Sequence, residues 1–69
     1  MSPRIRNTVR ELRAAHGMTQ QELADRIGLT RQTVIAIEQD KYSPSLETAF
    51  RIAEVFGVGL EAVFVYAKR

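Results

Sequence analysis

Apolar residues recur at intervals of three and four along most of the chain, which is the spacing of one face of an α-helix. Short segments rich in glycine, proline or serine interrupt this pattern, as turns between helices do. The pattern predicts four helices, a weaker fifth, and little or no sheet. We therefore expect an all-α fold in one domain over residues 1–69, a compact bundle of four to five helices with a possible short C-terminal strand.

The first predicted helix extends to about His16, and Gly17 is placed to end it in a left-handed conformation. Its start is open, because both Ser2, which precedes Pro3, and Asn7 are suitable N-caps. The apolar stripe of this helix consists of Ile5, Val9, Leu12 and His16.

The second, third and fourth helices have clearer boundaries. Thr19 and Glu22 form a T-x-x-E capping box at the start of the second helix. Thr30 caps the third, which ends near Gln39, and Ser45 caps the fourth. The residues expected to face the core are Leu23, Ala24 and Ile27 in the second helix, Val34 and Ile37 in the third, and Leu46, Ala49, Ile52, Ala53 and Phe56 in the fourth.

The C-terminal segment GLEAVFVYAKR, residues 59–69, has two possible structures. Leu60, Val63 and Phe64 fit one short helix. The β-branched and aromatic run Phe64, Val65, Tyr66 is also able to form a strand. The pattern does not decide between them.

Only Gly28 and Leu29 separate the second helix from the Thr30 cap of the third. So short a connection suits two helices that cross steeply, as in a helix-turn-helix, here at about residues 20–39. The small side chain of Ala24 allows the close approach that such a crossing needs, and Gly28 is able to adopt the positive φ of the turn.

On the third helix, a projection at about 100° per residue places Gln32, Ala36 and Gln39 opposite the core, with Ile35 and Arg31 beside them. Arginine and glutamine in a first turn are also ordinary solvent-exposed residues. Their combination with the steep joint and with an apolar residue on the outward side favours a helix that enters the major groove of double-stranded DNA. Arginine pairs with guanine, glutamine with adenine, and a methyl-bearing side chain such as Thr33 or Ile35 contacts a thymine methyl.

The run TQQELADRIGLTRQTVIAIEQDKYSPSLETAFRIAEVFGV resembles the Cro and phage-repressor class of helix-turn-helix regulators, the xenobiotic-response-element type, and above all its minimal one-domain members. The resemblance covers roughly residues 7 to 64 and implies a lambda-repressor-like DNA-binding fold.

The resemblance also implies roles for individual residues. Gln20 would contact a phosphate and brace the first base-reading residue. Arg31 and Gln32 would contact base edges, and Ala36 occupies a further base-reading position without a polar side chain. The full set of residues expected at the DNA is Gln20, Thr30, Arg31, Gln32, Thr33, Ile35, Ala36, Gln39, Lys41 and Tyr42, with Ser43 as a further candidate in the loop.

Arg13 and Glu38 both fall on the inner sides of their helices, where each charge needs a partner. The family pairs an arginine with a glutamate at these two places. We therefore expect a salt bridge between them that positions the third helix and takes no part in base recognition.

Composition excludes most other functions. The net charge is +2, with Arg4, Arg6, Arg10 and Arg13 near the N-terminus, as suits a polyanionic partner. There is no cysteine and only one histidine, so neither a thiolate nor a two-histidine metal site is expected. We expect no catalytic activity, cofactor or small-molecule ligand. No apolar run is long enough to span a bilayer, and a cytoplasmic location is expected.

The chain has more large apolar residues than a core of its size needs, and the surplus is expected either at the core edge or in a two-fold homodimer interface. The interface candidates are Val55, Phe64, Val65 and Tyr66, with Phe50 nearby. Dimerisation would let two copies of the third helix recognise a palindromic operator. The expected function is thus a dimeric, sequence-specific regulator, most simply a repressor. The alternatives are an antitoxin-like module that binds DNA mainly with a protein partner and a nonspecific architectural DNA binder.

Overall fold

The structure, a computed structural model, describes residues 5–66. The elements in chain order are β1 (Ile5–Asn7), α1 (Val9–Ala15), α2 (Gln20–Ile27), α3 (Arg31–Glu38), α4 (Leu46–Phe56), α5 (Leu60–Val63) and β2 (Phe64–Tyr66). The candidate cap Ser2 and residues 67–69 of the C-terminal segment lie outside the described residues. The predicted four helices and weaker fifth are confirmed, and a small sheet accompanies them.

The predicted starts of α2, α3 and α4 are confirmed by side-chain caps. The hydroxyl of Thr19 accepts a hydrogen bond from Glu22 N at 3.0 Å, and the Glu22 carboxylate accepts one from Thr19 N at 2.8 Å, which completes the capping box. Thr30 caps α3 and Ser45 caps α4 in the same way, each through its hydroxyl oxygen. These caps satisfy backbone donors that a helix cannot pair internally.

The start of the chain departs from the prediction. Residues 5–7 form a strand that pairs antiparallel with β2, in the register Ile5 to Tyr66, Arg6 to Val65 and Asn7 to Phe64. Ile5 is therefore exposed and is not part of the α1 stripe. The spacing from Ile5 to Val9 suits a helix locally, but backbone pairing with the distant residues 64–66 prevails. We call this pair of strands the β1–β2 ribbon.

The C-terminal segment adopts both of the conformations that the sequence left open. Residues 60–63 form the short helix α5, and the next three residues form β2. Thr8 joins this segment to α1, since its N–H donates to Val63 O at 2.9 Å and its hydroxyl to Ala62 O at 2.7 Å. These two bonds fix the ribbon against the helices.

One continuous core lies among the helices, and all the predicted core positions of α2 and α3 contribute to it. Leu46 is the exception in α4, because 67% of its surface is exposed to solvent. It lies in the first turn of α4, at the edge of the stripe, where the apolar face extends past the core. Met18, in the α1–α2 turn, is buried instead. The buried apolar residues that form the core are Val9, Met18, Leu23, Ala24, Ile27, Val34, Ile37, Ala49, Ile52, Ala53, Phe56 and Val63.

Among residues 5–66, none of the helices combines the length and the apolar character that crossing a membrane requires.

Gly28 makes the connection between α2 and α3. Its φ is +73°, and its N–H donates to Ala24 O as the C-cap of α2. A Cβ at this position would meet nothing closer than a side-chain nitrogen of Arg51 at 3.9 Å. The requirement for glycine is therefore one of backbone conformation and not of space.

We expect Gly28→Ala to lower the free energy of unfolding by about 1 to 2 kcal/mol, the cost of a left-handed alanine. Gly28→Asn should lower it less, because asparagine tolerates this conformation better. Urea unfolding followed by circular dichroism measures both. Equal midpoints for the wild type and the alanine variant would show that the turn does not need a positive φ.

Candidate nucleic-acid interface

The N-terminal end of α3 carries the two polar side chains with the greatest capacity for base recognition. Thr30 caps the helix, and its hydroxyl lies 3.0 Å from the hydroxyl of Thr33. Arg31 and Gln32 follow directly and are both exposed, whereas Thr33 is partly buried. The capped helix start thus presents an arginine and a glutamine to solvent in a fixed orientation.

The second turn of α3 is less accessible. Ile35 and Ala36, expected on the outward side, are both partly buried, while Val34 and Ile37 are fully buried as predicted. Gln39, the C-cap residue, is exposed. The accessible polar groups of α3 are therefore concentrated at its two ends.

Gln20, the first residue of α2, contacts the last residue of α3. Its Nε2 donates to Glu38 Oε1 at 3.2 Å, which fixes the side-chain amide while its oxygen stays available as an acceptor. An open groove runs between the end of α1 and the starts of α2 and α3. Its lining residues are Arg13, Ala14, Gly17, Met18, Thr19, Gln20, Gln21 and Arg31. Gln20 and Arg31 are thus on one continuous surface.

The loop after α3 begins with an unusual backbone conformation. Asp40 has a φ of +59°, the only positive φ outside glycine among the residues described. Its N–H donates to Ile37 O, and Lys41 N donates to Ala36 O at 2.9 Å. This pair of bonds is a Schellman motif. Lys41, Tyr42 and Ser43 follow it and are all exposed.

Arg13 and Glu38 are in direct contact. Arg13 Nε donates to Glu38 Oε2 at 2.7 Å and its Nη2 to Oε1 at 3.2 Å, with side-chain exposures of 17% and 0% respectively. Arg13 Nη1 also donates to Met18 O. A second cation, Arg10, lies 3.8 Å from Glu38 Oε1. The sequence pattern does not single out Arg10 as a partner of Glu38, although its position one turn before Arg13 on the same helix is a usable signal.

Burial raises the pKa of the Glu38 carboxyl, but its partners outweigh this effect. The hydrogen bonds from Arg13 and Gln20, and the positive charges of Arg13 and Arg10, together hold the pKa of Glu38 below its ordinary value of 4.5. Glu38 therefore stays ionised at neutral pH although its side chain has no exposed surface. Its carboxylate connects α1, α2 and α3.

We expect Glu38→Gln to lower the free energy of unfolding by about 3 to 5 kcal/mol at pH 7, because it leaves Arg13 without its counter-ion. Wild-type stability should also fall on acidification. Since the folded pKa of Glu38 is depressed, the contribution is complete above about pH 4.5 and is lost as pH falls through the folded value. The Glu38→Gln variant should lack this part of the loss of stability at low pH. Chemical unfolding between pH 3 and 7 measures both effects.

Glu47→Gln is the matched control. Glu47 accepts a hydrogen bond from Arg51 at 2.8 Å, but both side chains of this i, i+4 pair are exposed. We expect this variant to lower the free energy of unfolding by at most about 0.5 kcal/mol. A control loss as large as that of Glu38→Gln would mean that burial does not set the importance of the Arg13–Glu38 pair.

The four residues considered for a dimer interface occupy different environments. Val65 and Tyr66 are exposed on β2, while Phe64 is partly buried against the core. Val55 also packs against the core. It lies nine positions after Leu46, about two and a half turns of α4, and therefore on the opposite side of the helix. Val65 points away from the face of the ribbon that carries Phe64 and Tyr66.

His16, the only histidine, packs against Phe56 with a ring-centroid distance of 5.2 Å. Its Nδ1 lies 2.9 Å from Leu12 O. Across residues 5–66, no three or more histidine, aspartate or glutamate side chains are close enough together to hold a metal ion.

Known proteins show similarity over almost the whole chain. The helix-turn-helix family HTH_3 matches residues 9–63. A regulator from Methanocaldococcus jannaschii, named as an HTH-type transcriptional regulator, is 50% identical over 62 residues, which are 90% of this chain and 94% of that protein. The transcriptional repressor RstR of a cryptic phage in Vibrio cholerae is 38% identical over 50 residues, which are 72% of this chain and 45% of RstR.

Solved structures share the fold. The restriction-modification controller protein C.AhdI from Aeromonas hydrophila superposes with a TM-score of 0.72 at 31% identity, covering 78% of each chain. A chain from Bacteroides fragilis superposes with a TM-score of 0.81 over 88% of this chain and 98% of its own length, at 23% identity. The second likeness supports the fold alone. The extent of the family match and the identity to the archaeal relative show that this chain belongs to the HTH_3 family of helix-turn-helix transcriptional regulators, which are DNA-binding proteins and not enzymes.

Proposed function

We propose that this regulator recognises a specific palindromic sequence in double-stranded DNA by inserting α3 into the major groove. The observation that carries the proposal is the pair Arg31 and Gln32, exposed at the capped start of a helix whose other side is buried. Both side chains are able to form bidentate hydrogen bonds with a base edge. The domain that performs this function comprises residues 1–69.

Different parts of the surface have different roles in this proposal. Arg31 and Gln32 contact bases, and Gln20 contacts a phosphate while its amide is fixed by Glu38. The phosphate backbone is bound by Thr30, Gln39, Lys41 and Tyr42, which are exposed, as is Ser43. The partly buried residues Thr33, Ile35 and Ala36 contribute apolar contacts at the groove floor.

Repression is the simplest mechanism, since a protein bound at an operator excludes polymerase without any effector domain. One relative, RstR, is named as a transcriptional repressor, which is consistent with this mechanism. The proposed place of action is the cytoplasm, where the DNA lies in the archaeal and bacterial organisms of its relatives.

Dimerisation through the β1–β2 ribbon completes the proposal. One α3 of two turns contacts too few base pairs to define a unique site, whereas two copies spaced by about 34 to 36 Å recognise a palindrome. Exposed apolar side chains lie on the ribbon, namely Ile5 at 41%, Val65 at 50% and Tyr66 at 60%, and Leu46, at 67%, lies beside it. Ile5, Leu46 and Phe64 also line one apolar depression.

The same apolar surface supports the second candidate function, an antitoxin-like module. In that case it binds a different protein, and DNA binding depends on the complex. Purified protein that binds a specific duplex by itself, with strong salt dependence, argues against this alternative.

The roles of the surface residues lead to opposite expectations for two variants. Arg31→Ala should weaken binding to the preferred duplex by about 1 to 3 kcal/mol and relax one base position. Lys41→Ala should weaken binding to all duplexes about equally and reduce the salt slope by about one. Selection from a random duplex library, followed by titration at several salt concentrations, measures both. A change of sequence preference in the Lys41 variant alone would reverse the assigned roles.

The same selection tests sequence specificity itself. We expect the wild type to enrich a palindrome and the Arg31→Ala, Gln32→Ala double variant to lose the half-site information. Wild-type protein that enriches no sequence would refute specific binding and favour the partner-dependent or architectural alternatives.

The dimer predicts that Tyr66→Glu shifts the sedimenting species toward monomer, because it places a charge among apolar side chains at the interface. Tyr66 is preferable to Phe64 for this test, since Phe64 also packs against the core. Ala15→Glu, on the exposed side of α1, adds the same charge as a control. Identical sedimentation of all three proteins would exclude the ribbon as the dimer interface.

A further inference from the structure

Asn7 occupies a junction that the DNA-binding roles above do not use. It is the last residue of β1, and its backbone pairs with Phe64 of β2. Its side chain extends from the ribbon to the far end of α3, where its Nδ2 donates to Ile37 O at 2.7 Å and to Asp40 Oδ1 at 3.0 Å. Its Oδ1 accepts a hydrogen bond from Val9 N at 3.1 Å. One residue of the ribbon thus contacts both the start of α1 and the end of α3 through its side-chain amide.

The bonds from Asn7 meet α3 where its backbone is most constrained. Asp40 occupies the left-handed position of the Schellman motif, which usually carries glycine. A left-handed conformation is unfavourable for aspartate, so the surroundings have to stabilise it. Asn7 binds both the side chain of Asp40 and the carbonyl of Ile37 that accepts the Asp40 N–H. It therefore holds the Schellman motif from outside the helix.

Two surfaces of the proposed function depend on this junction. Lys41 and Tyr42, the proposed phosphate contacts, directly follow Asp40. The ribbon, the proposed dimer contact, is continuous with the backbone of Asn7, and Thr8 fixes it further by its two bonds to Ala62 and Val63 of α5. A change in the angle between ribbon and α3 would change the distance between the two recognition helices of a dimer.

We propose that Asn7 is a positioning residue for DNA binding, which sets the orientation of the C-terminal end of α3 relative to the β1–β2 ribbon and thereby the half-site spacing that a dimer accepts. This inference rests on the proposed function for its consequence at DNA. The contact between ribbon and helix is testable without DNA.

The first measurement is amide hydrogen exchange of free protein. Asn7→Asp keeps an acceptor for Val9 N but removes both donors to α3 and places a second carboxylate beside Asp40. The Lys41 amide, bonded to Ala36 O, should then lose about five- to tenfold of its protection. The protection of the α4 amides should change less than twofold beyond any loss caused by lower global stability.

A two-residue cycle identifies the partner of Asn7. Asp40→Asn retains an acceptor for Asn7, so its Lys41 amide should exchange at the wild-type rate. Asn7→Asp combined with Asp40→Asn reverses the donor and the acceptor of this one bond, and should recover part of the lost Lys41 protection, because the donor to Ile37 O stays absent. Unchanged Lys41 exchange in Asn7→Asp would overturn the contact as a constraint on α3, and no recovery in the double variant would overturn Asp40 as the partner.

Thr8→Val is the matched control. It removes a side-chain hydrogen bond from the neighbouring residue to a backbone carbonyl, but that carbonyl belongs to Ala62 and not to α3. Valine keeps the shape of threonine. Thr8→Val should lower global stability without a specific loss at Lys41, so a loss at Lys41 equal to that of Asn7→Asp would show that any weakening of the ribbon has the same effect.

The second measurement is binding to duplexes that carry the wild-type-selected half-sites at spacings changed by one base pair in each direction. At a temperature where every protein is folded, the wild type and the exposed control variant Glu47→Gln should prefer one spacing, and Asn7→Asp should discriminate between spacings about tenfold less. A retained preference in Asn7→Asp would overturn the positioning role. A wild type that selects no duplex would refute the proposed function instead, and hydrogen exchange would still decide whether Asn7 holds the end of α3.

Discussion

The buried carboxylate of Glu38 is the constraint on which the arrangement of the reading surface depends. It is located on α3, and it accepts hydrogen bonds from Arg13 of α1 and Gln20 of α2. A carboxylate without exposed surface is tolerated only when its partners compensate for the lost hydration. The pair therefore requires all three helices to be correctly placed at once, and it makes the position of the recognition helix part of the stability of the fold.

This arrangement also connects stability to recognition. Gln20 uses one donor of its amide on Glu38 and retains its oxygen for a ligand. The same buried group that holds α3 in place thus orients a side chain on the proposed DNA surface. Preorganisation of this kind reduces the entropy that binding has to remove.

The same C-terminal end of α3 is also held by hydrogen bonds from a separate part of the chain. Asn7 reaches it from the β1–β2 ribbon, so the last turn of the recognition helix is fixed both by the ion pair of Glu38 with α1 and by the amide that bonds Ile37 O. The two attachments connect α3 to different elements. Together they leave the exposed N-terminal turn, with Arg31 and Gln32, as the free side of a rigidly mounted helix.

The sequence by itself determined the parts of this protein that depend on local chemistry. Threonine and serine caps, the glycine at the α2–α3 turn and the spacing of three and four specified the helices and their joint, because these signals act over a few residues. Only the tertiary structure decided the conformation of residues 5–7, the exposure of Leu46 and the contacts of Arg10 and Asn7. Each of these depends on a partner at least twenty positions away, or on where the core ends, and periodicity along the chain contains no information about either.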